Sequence, residues 1–366
     1  MARKRPTSAD VARLAGVSRT TVSFVLNANP SVQISPATRR RVIEAAEQLG
    51  YAPSAAARSL AGGTTRTVGL VMRQYPEQVA ADALLADTLR GLSAVTREAG
   101  YRVLVEPMPP GDVSYTSLVR SHHVDGLILS GPLAEDRLPL EREADFPVVL
   151  QGSLPDTQIP SVDVDNRQGA RLAVEHLIRL GHRRIACITN ADPAYTAADE
   201  RLAGYRDALQ AAGLPCEERL VTAAAFDAAS GRLAMARLLQ RGLPFSALFA
   251  GNDVVALGAI GAARANGLRV PRDLAVVGFD DIPLAAHFDP PLTTVRLPAY
   301  ELGFTAGRAL IDRIAGRLVP VRSILATELV VRESATAPDT GGGGLLVAAS
   351  HGGTPRKAST STTVQS

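Results

Sequence analysis

Residues 8–27 read Ser-Ala-Asp-Val-Ala-Arg-Leu-Ala-Gly-Val-Ser-Arg-Thr-Thr-Val-Ser-Phe-Val-Leu-Asn. Ser8 is placed to cap a short helix whose apolar residues Val11, Ala12, Leu14 and Ala15 fall at helical spacing. Gly16 permits the sharp reversal that a tight turn between two helices requires. Ser18 then caps a second helix that buries Val22, Val25 and Leu26 on one face and carries Arg19, Thr20 and Ser23 on the other. A helix-turn-helix whose second member begins with exposed polar side chains can set those side chains against base edges in the major groove of DNA.

Working outward, a third helix follows. Ser35 is its expected N-cap, Pro36 sits in the first turn where its missing donor costs nothing, and Gly50 ends it. Val42, Ile43, Ala46 and Leu49 form its apolar stripe, and the three-helix unit is expected over residues 7–51. Residues 52–66 contain Pro53-Ser-Ala-Ala-Ala-Arg-Ser-Leu60 and then Gly62-Gly63. They read as a hinge helix and linker. A helix of about two turns is marginal alone in water and forms only against a partner; an ordinary flexible linker is the alternative.

Charge supports a polyanion partner for this head alone. Residues 1–66 hold ten basic and three acidic side chains, a net +7, so the overall +3 leaves −4 for the remainder. The 366-residue length and 46% hydrophobic content call for further domains with a sizeable core. Two cysteines, Cys187 and Cys216, make no disulfide framework, and Cys187 in its apolar run reads as a buried reduced thiol. The basic N-terminus is followed by no apolar stretch of the signal-peptide type, and no run reaches about 18 apolar residues. The expectation is a cytoplasmic protein with no membrane partner.

From Thr67 onward apolar strands alternate with amphipathic helices. The expected strands are Val68–Met72, Arg102–Glu106, Gly126–Ser130, Val148–Gln151, Ile185–Thr189, Ala247–Ala250, Ala275–Gly278 and Leu325–Val331. Helices are expected over 83–99, 167–180, 199–212, 228–241 and 253–266. Such alternation implies parallel sheets wrapped by helices, and this many strands implies two lobes over residues 67–335. A ligand would bind between them, at the C-terminal ends of the strands. Residues 336–366, rich in Gly, Ser and Thr, read as a disordered tail.

The head, the Ala-Ala-Ala-Arg-Ser-Leu hinge and a series of body motifs together resemble the LacI/GalR family of bacterial repressors. The body motifs are Ser161-Val-Asp-Val-Asp-Asn166, His176-Leu-Ile-Arg-Leu-Gly-His-Arg-Arg-Ile185, Glu200-Arg-Leu-Ala-Gly-Tyr205, Asn252-Asp-Val-Val-Ala-Leu-Gly258, Val276-Val-Gly-Phe-Asp-Asp281 and Pro291-Leu-Thr-Thr294. The likeness spans residues 7–335. It implies an all-α helix-turn-helix head on an α/β two-lobe body like that of periplasmic sugar-binding proteins. It also implies a homodimer whose two heads read a palindromic double-stranded DNA operator, and a small polar effector, most often a carbohydrate. Three chain crossings between the lobes are implied near Asn166, Leu292 and Ile324.

By resemblance, Arg19 and Thr20 stand at base-reading positions, Phe24 at a groove-facing one, and Leu60 at the leucine that wedges into the minor groove. Arg19 could instead touch only phosphate, and Phe24 could instead pack in the head. Thr7, Ser18, Thr21, Ser23, Asn27 and Thr38 are short donors suited to phosphates, and Ala57 lies in the hinge contact. Ala61 stands where many relatives carry a basic side chain. Arg201, Phe226, Asn252 and Asp280 match positions that line the family's cleft. A guanidinium and a carboxylate each hold paired oxygens or hydroxyls, and an aromatic face stacks on a ring. Ser130, Gln151 and Asp165 are further candidates near strand ends. The alternative for Asp280 is a loop cap, and for Arg201 an ion pair with Asp199 or a neighbour. One departure stands out: relatives carry Asn-Pro and two aromatics ahead of the first body helix, whereas this chain reads Asp82-Ala-Leu-Leu85 after an extended loop in which Tyr75 could substitute.

An enzyme is the rival class. The six histidines show no H-x-x-x-H metal spacing, and the chain has neither a G-x-S-x-G elbow nor a phosphate-binding G-x-x-x-x-G-K-[ST] loop. No metal, cofactor or catalytic residue is expected. His176 and His182 flank a helix end and read as structural. A binding protein of the same fold without operator binding, an activator, and control by a nucleoside or a protein co-regulator remain as alternatives.

Overall fold

The computed structural model describes residues 6–26, 33–51, 64–120, 123–143 and 145–338. The head comprises α1 (Ser8–Ala15), α2 (Arg19–Leu26) and α3 (Pro36–Leu49). Thr7, not Ser8, is the N-cap of α1: the Asp10 carboxylate accepts from both the Thr7 amide and its hydroxyl. The cap moves back one residue because Asp10 then sits at the third helical position, where its side chain reaches back to the cap. Gly16 adopts φ +65°, the left-handed conformation expected of it. The Ser18 hydroxyl accepts from the Thr21 amide at 3.0 Å, and the Ser35 hydroxyl from the Thr38 amide at 3.2 Å. Val11, Val22 and Val42 close the small core, together with Ala12, Ala45 and Ala46. Leu14 and Ile43, expected on the buried stripes, are instead exposed. A three-helix unit this small has room inside for Val and Ala but not for every apolar side chain its helices carry.

The body contains two six-stranded sheets of the same order. In lobe 1, β1 (Thr67–Met72) is flanked by β2 (Arg102–Pro107) and β3 (Gly126–Ser130), followed by β4 (Val148–Gln151), β5 (Ser161–Val164) and β11 (Arg322–Leu325). In lobe 2, β6 (Ile185–Thr189) lies between β7 (Val221–Ala223) and β8 (Ala247–Ala250), followed by β9 (Ala275–Asp280), β10 (Thr293–Arg296) and β12 (Glu328–Val330). All pairings are parallel except β10 with β12.

Both faces of each sheet are covered, as parallel sheets require. In lobe 1, α4 (Pro76–Ala80), α5 (Leu85–Glu98), α6 (Tyr115–Arg120) and α7 (Arg137–Glu141) precede β5. α5 is joined from the far end of the chain by α12 (Ala299–Ile314). In lobe 2, α8 (Asn166–Arg179) and α9 (Thr196–Ala211) pack on one face, α10 (Ala228–Gln240) and α11 (Asp253–Ala265) on the other. A Cβ at Gly258 would overlap the Ala228 carbonyl, so α10 and α11 touch backbone to backbone only because glycine stands there.

The chain crosses between lobes three times. The first crossing runs from β5 into α8 at Asn166, as expected. The second falls at 297–299, after β10, and not at Leu292, which is buried in the lobe 2 core. The third falls at Ala326-Thr327 and cuts the expected strand Leu325–Val331 in two: Leu325 pairs with Val164 in lobe 1, whereas Val330 pairs with Thr294 in lobe 2. Three short strands (β5, β7, β10) and the helices α4, α6, α7 and α12 were not among the expected elements. The first residues of the expected tail are held by the body: the Thr336 carbonyl lies 2.9 Å from His182 Nε2, whose Nδ1 is 2.8 Å from the Ser246 hydroxyl. Cys187 is buried and Cys216 exposed, both as free thiols.

Candidate functional site: a cleft between two lobes and an exposed recognition helix

The C-terminal ends of both sheets converge on one cavity of about 170 Å³. Ser130, Gln151 and Asp163 reach it from lobe 1 strands, and Asn190, Phe226, Asn252 and Asp280 from the ends of lobe 2 strands. Arg201, on the second turn of α9, also lines it. Six expected cleft residues are thus brought together: Ser130, Gln151, Arg201, Phe226, Asn252 and Asp280.

Two are not. Tyr75 is 52% exposed and lies outside the lining, because the extended loop turns into α4 and presents Gln74 and Gln78 instead. Asp165 is exposed and caps α8, accepting from the Gln168 amide at 2.8 Å. The sequence reading missed Gln74, Asp82, Asp163 and Asn190; Asp163 and Asn166 stood in a quoted motif but were given no role.

A polar chain crosses the cavity floor. The Asp163 carboxylate accepts from the Asn166 amide at 3.1 Å, and Asn166 Oδ1 accepts from Arg201 Nε at 2.9 Å. Arg201 Nη1 donates to the Gly251 carbonyl at 2.5 Å and meets Asp280 at 3.4 Å, while its guanidinium carbon stands 3.8 Å from the Phe279 ring centroid. Arg201 therefore pairs with Asp280 across the motif positions, and not with Asp199. Burial dominates the protonation chemistry. It pushes Asp280 well above the usual carboxylate range against the pull of Arg201. It pushes Asp163 up to about 6 and raises Asp82 as well. Asn252 caps α11 through the Val255 amide and donates to the Phe226 carbonyl, so its amide is engaged in holding the wall.

The backbone is strained where it meets the cavity. Phe226 has φ +68°, Asp280 +113° and Asp281 +54°, left-handed values for residues that carry a Cβ. The lobes also touch directly beside the cavity. Tyr195 packs edge-on against Phe226 with ring centroids 5.0 Å apart, and its hydroxyl donates to the Arg73 carbonyl of lobe 1 at 2.5 Å. The Thr196 hydroxyl donates to the Ser153 carbonyl at 2.8 Å, and Gln78 to the Ala225 carbonyl at 3.1 Å. Arg73 is fully buried, fixed by ion pairs to Asp136 at 3.0 Å and Glu135 at 2.8 Å.

In the head, Arg19 and Thr20 are exposed at the start of α2. Ser18 and Thr21 bond to each other in the cap, with hydroxyls 2.9 Å apart, and Thr38 is likewise engaged with Ser35. Phe24 is half-buried; the side chains packed around the buried head core are Val17, Leu26, Ile34, Leu49 and Tyr51. Asn27, Ala57, Leu60 and Ala61 lie outside the described residues. Among the described residues no helix is long and apolar enough to cross a membrane, and no group of three or more His, Cys, Asp or Glu side chains is placed to hold a metal.

A helix-turn-helix head joined to a two-lobed body with a buried polar cleft defines a DNA-binding regulator with a ligand-binding domain. Residues 7–54 match the pattern of bacterial regulatory proteins of the lacI family, and residues 174–335 that of a periplasmic binding protein-like domain. The HTH-type transcriptional regulator CelR of Thermobifida fusca is 42% identical over 340 residues, covering 91% of this chain and 99% of CelR. The solved CelR–cellobiose complex superimposes with a TM-score of 0.69 at 40% identity, covering 90% of this chain and all of that one. The lac repressor dimer bound to operator and the anti-inducer ONPF superimposes with a TM-score of 0.79 at 30% identity, over 91% of this chain and all of the other. The chain belongs to the LacI family of bacterial transcriptional regulators.

Proposed function

We propose that this protein is a cytoplasmic, homodimeric repressor whose two heads bind a palindromic operator and whose grip on DNA is set by a sugar held between the lobes. The observation that carries the reading is the cavity itself: its walls come from both lobes, so a ligand that fits it favours one lobe arrangement over another. A ligand changes DNA affinity only through such a difference. The cellobiose complex of CelR and the operator-bound lac repressor dimer are the similar proteins that support a β-glucoside-like effector and a paired reading of DNA. Arg19 and Thr20 are assigned to base edges, with Arg19 giving two hydrogen bonds to a guanine. Phe24 faces a thymine methyl; Thr7, Ser18, Thr21, Ser23, Asn27 and Thr38 contact phosphates; Ala57 and the wedge Leu60 meet the minor groove. In the cleft, Phe226 stacks on a sugar ring while Arg201 and Asp280 hold hydroxyls. The protein carries out no chemical transformation of the ligand.

The test is fluorescence anisotropy of full-length protein on operator DNA selected from a random pool, with and without cellobiose and other sugars. A palindromic selected site whose binding changes with one sugar supports the reading. Binding of DNA without sequence preference, or indifference to every sugar, defeats it.

A further inference from the structure

Three amide carbonyls in the cleft are buried and have no hydrogen-bond partner: Gln74 Oε1 and Gln151 Oε1 in lobe 1, and Asn190 Oδ1 in lobe 2. Asn190 is only 5% exposed, and a Cβ on Gly251 would stand 2.5 Å from its backbone N and 3.0 Å from its Oδ1, so the glycine leaves room for it there. Buried acceptors left unpaired are costly, and native proteins leave few of them without a reason. All three line the same cavity, and a carbonyl can only accept. What enters must donate.

The charged groups point the same way. Asp82, Asp163, Asp227 and Asp280 line the cavity, against the single guanidinium of Arg201. That guanidinium already serves Asn166, the Gly251 carbonyl and Asp280. An anion would meet four carboxyl groups and no uncommitted cation among these lining side chains. Burial raises Asp82, Asp163 and Asp280, which is the response of a site that resists further negative charge.

We propose that the effector is an uncharged polyhydroxyl compound that donates hydrogen bonds to Gln74 and Gln151 on one lobe and Asn190 on the other, and that the cleft rejects phosphorylated and carboxylated versions of the same sugar. This rests on the reading of the cleft as the effector site, and narrows it. Because the acceptors sit on both lobes, the ligand that satisfies them ties the lobes together.

The experiment uses the full-length protein, titrated calorimetrically with two matched pairs: cellobiose against cellobionate, and glucose against glucose 6-phosphate. The same titrations are run on Gln151→Met and Gln74→Met, near-isosteric changes that each remove one unpaired acceptor; Gln74→Met also removes the 3.4 Å donation from its amide to Asp82. Binding by a neutral member, at least tenfold weaker binding by its anionic partner, and a three- to tenfold loss of affinity in each variant are expected, with an unchanged or raised melting temperature without ligand in Gln151→Met. A merely structural glutamine would lower the melting temperature and leave affinity alone. An anionic member that binds as tightly as its neutral partner overturns the inference and leaves the effector-cleft reading in place. Binding by none of the four overturns both.

Discussion

The head and the cleft solve opposite problems with similar side chains. In the head, polar residues stand outside a core made mainly of Val and Ala, and Arg19 and Thr20 are exposed before any partner arrives. In the cleft, Arg201, Asn190 and Asp280 are buried; Arg201 bonds to Asn166 at the lobe crossing and meets Asp280, while Asn190 Oδ1 has no partner. A surface reader loses a contact when a side chain is removed. A buried network is left with an unpaired charge as well, which is the costlier outcome. The head is therefore expected to tolerate change in its reading residues without unfolding, whereas the bonds centred on Arg201 in the cleft are not.

Arg201→Leu should show the largest effect. It strands Asp280 and Asn166 and should destabilise the body by about 3 kcal/mol in urea unfolding, with loss of sugar response. Full stability in this variant would mean that the Asp280 carboxyl is neutral and needs no partner. Arg19→Ala, the matching change in the head, should weaken operator binding by about 2 kcal/mol and relax one base position, with no change in melting temperature. A lowered melting temperature would erase the contrast between the two regions.

A third comparison uses pH. Asp163 has a folded pKa of about 6, above the usual carboxylate value, so the folded state holds this proton more tightly than the unfolded chain does. Stability from that proton is present at pH 4 and is lost as pH rises toward and through 6. Asp163→Asn keeps an acceptor for the Val164 and Asn166 N–H groups and should gain stability relative to the parent across that window, by about 1–2 kcal/mol. A constant difference across pH 4–7 would assign the carboxyl an ordinary pKa. Smallest is Tyr195→Phe, which removes the hydroxyl bond to the Arg73 carbonyl. It should cost about 1 kcal/mol of lobe closure, seen as a roughly fivefold weaker sugar affinity with operator binding in the absence of sugar little changed. Unaltered affinity would mean that the lobes close without this contact.

Much of the fold was legible because its signals are local. Caps at Ser18 and Ser35, the glycine at 16, and the mainly apolar strands at 126–130, 148–151 and 185–189 all declare themselves within a few residues. Failures came where a partner distant in sequence decides. β7 and β10 are short and take their stability from neighbouring strands. The segment 325–331 looks like one strand because its hydropathy cannot register that Leu325 and Val330 belong to different sheets.

In the cleft, Arg201, Asn252 and Asp280 were found within family motifs, and Phe226 through its match to a family cleft position. Tyr75 was expected for its aromatic ring, yet the loop geometry presents Gln74 and Gln78 to the cavity instead. By itself, then, the sequence determined a helix-turn-helix head, a two-lobed α/β body and the identity of several cleft positions, since capping, periodicity and motif spacing are properties of short stretches. Only the tertiary structure decided where the chain changes lobes and which side chains are buried together. Above all it decided that three unpaired carbonyls and four carboxyls from distant segments share one cavity with a single arginine. That balance of donors and acceptors exists only once both lobes are folded against each other.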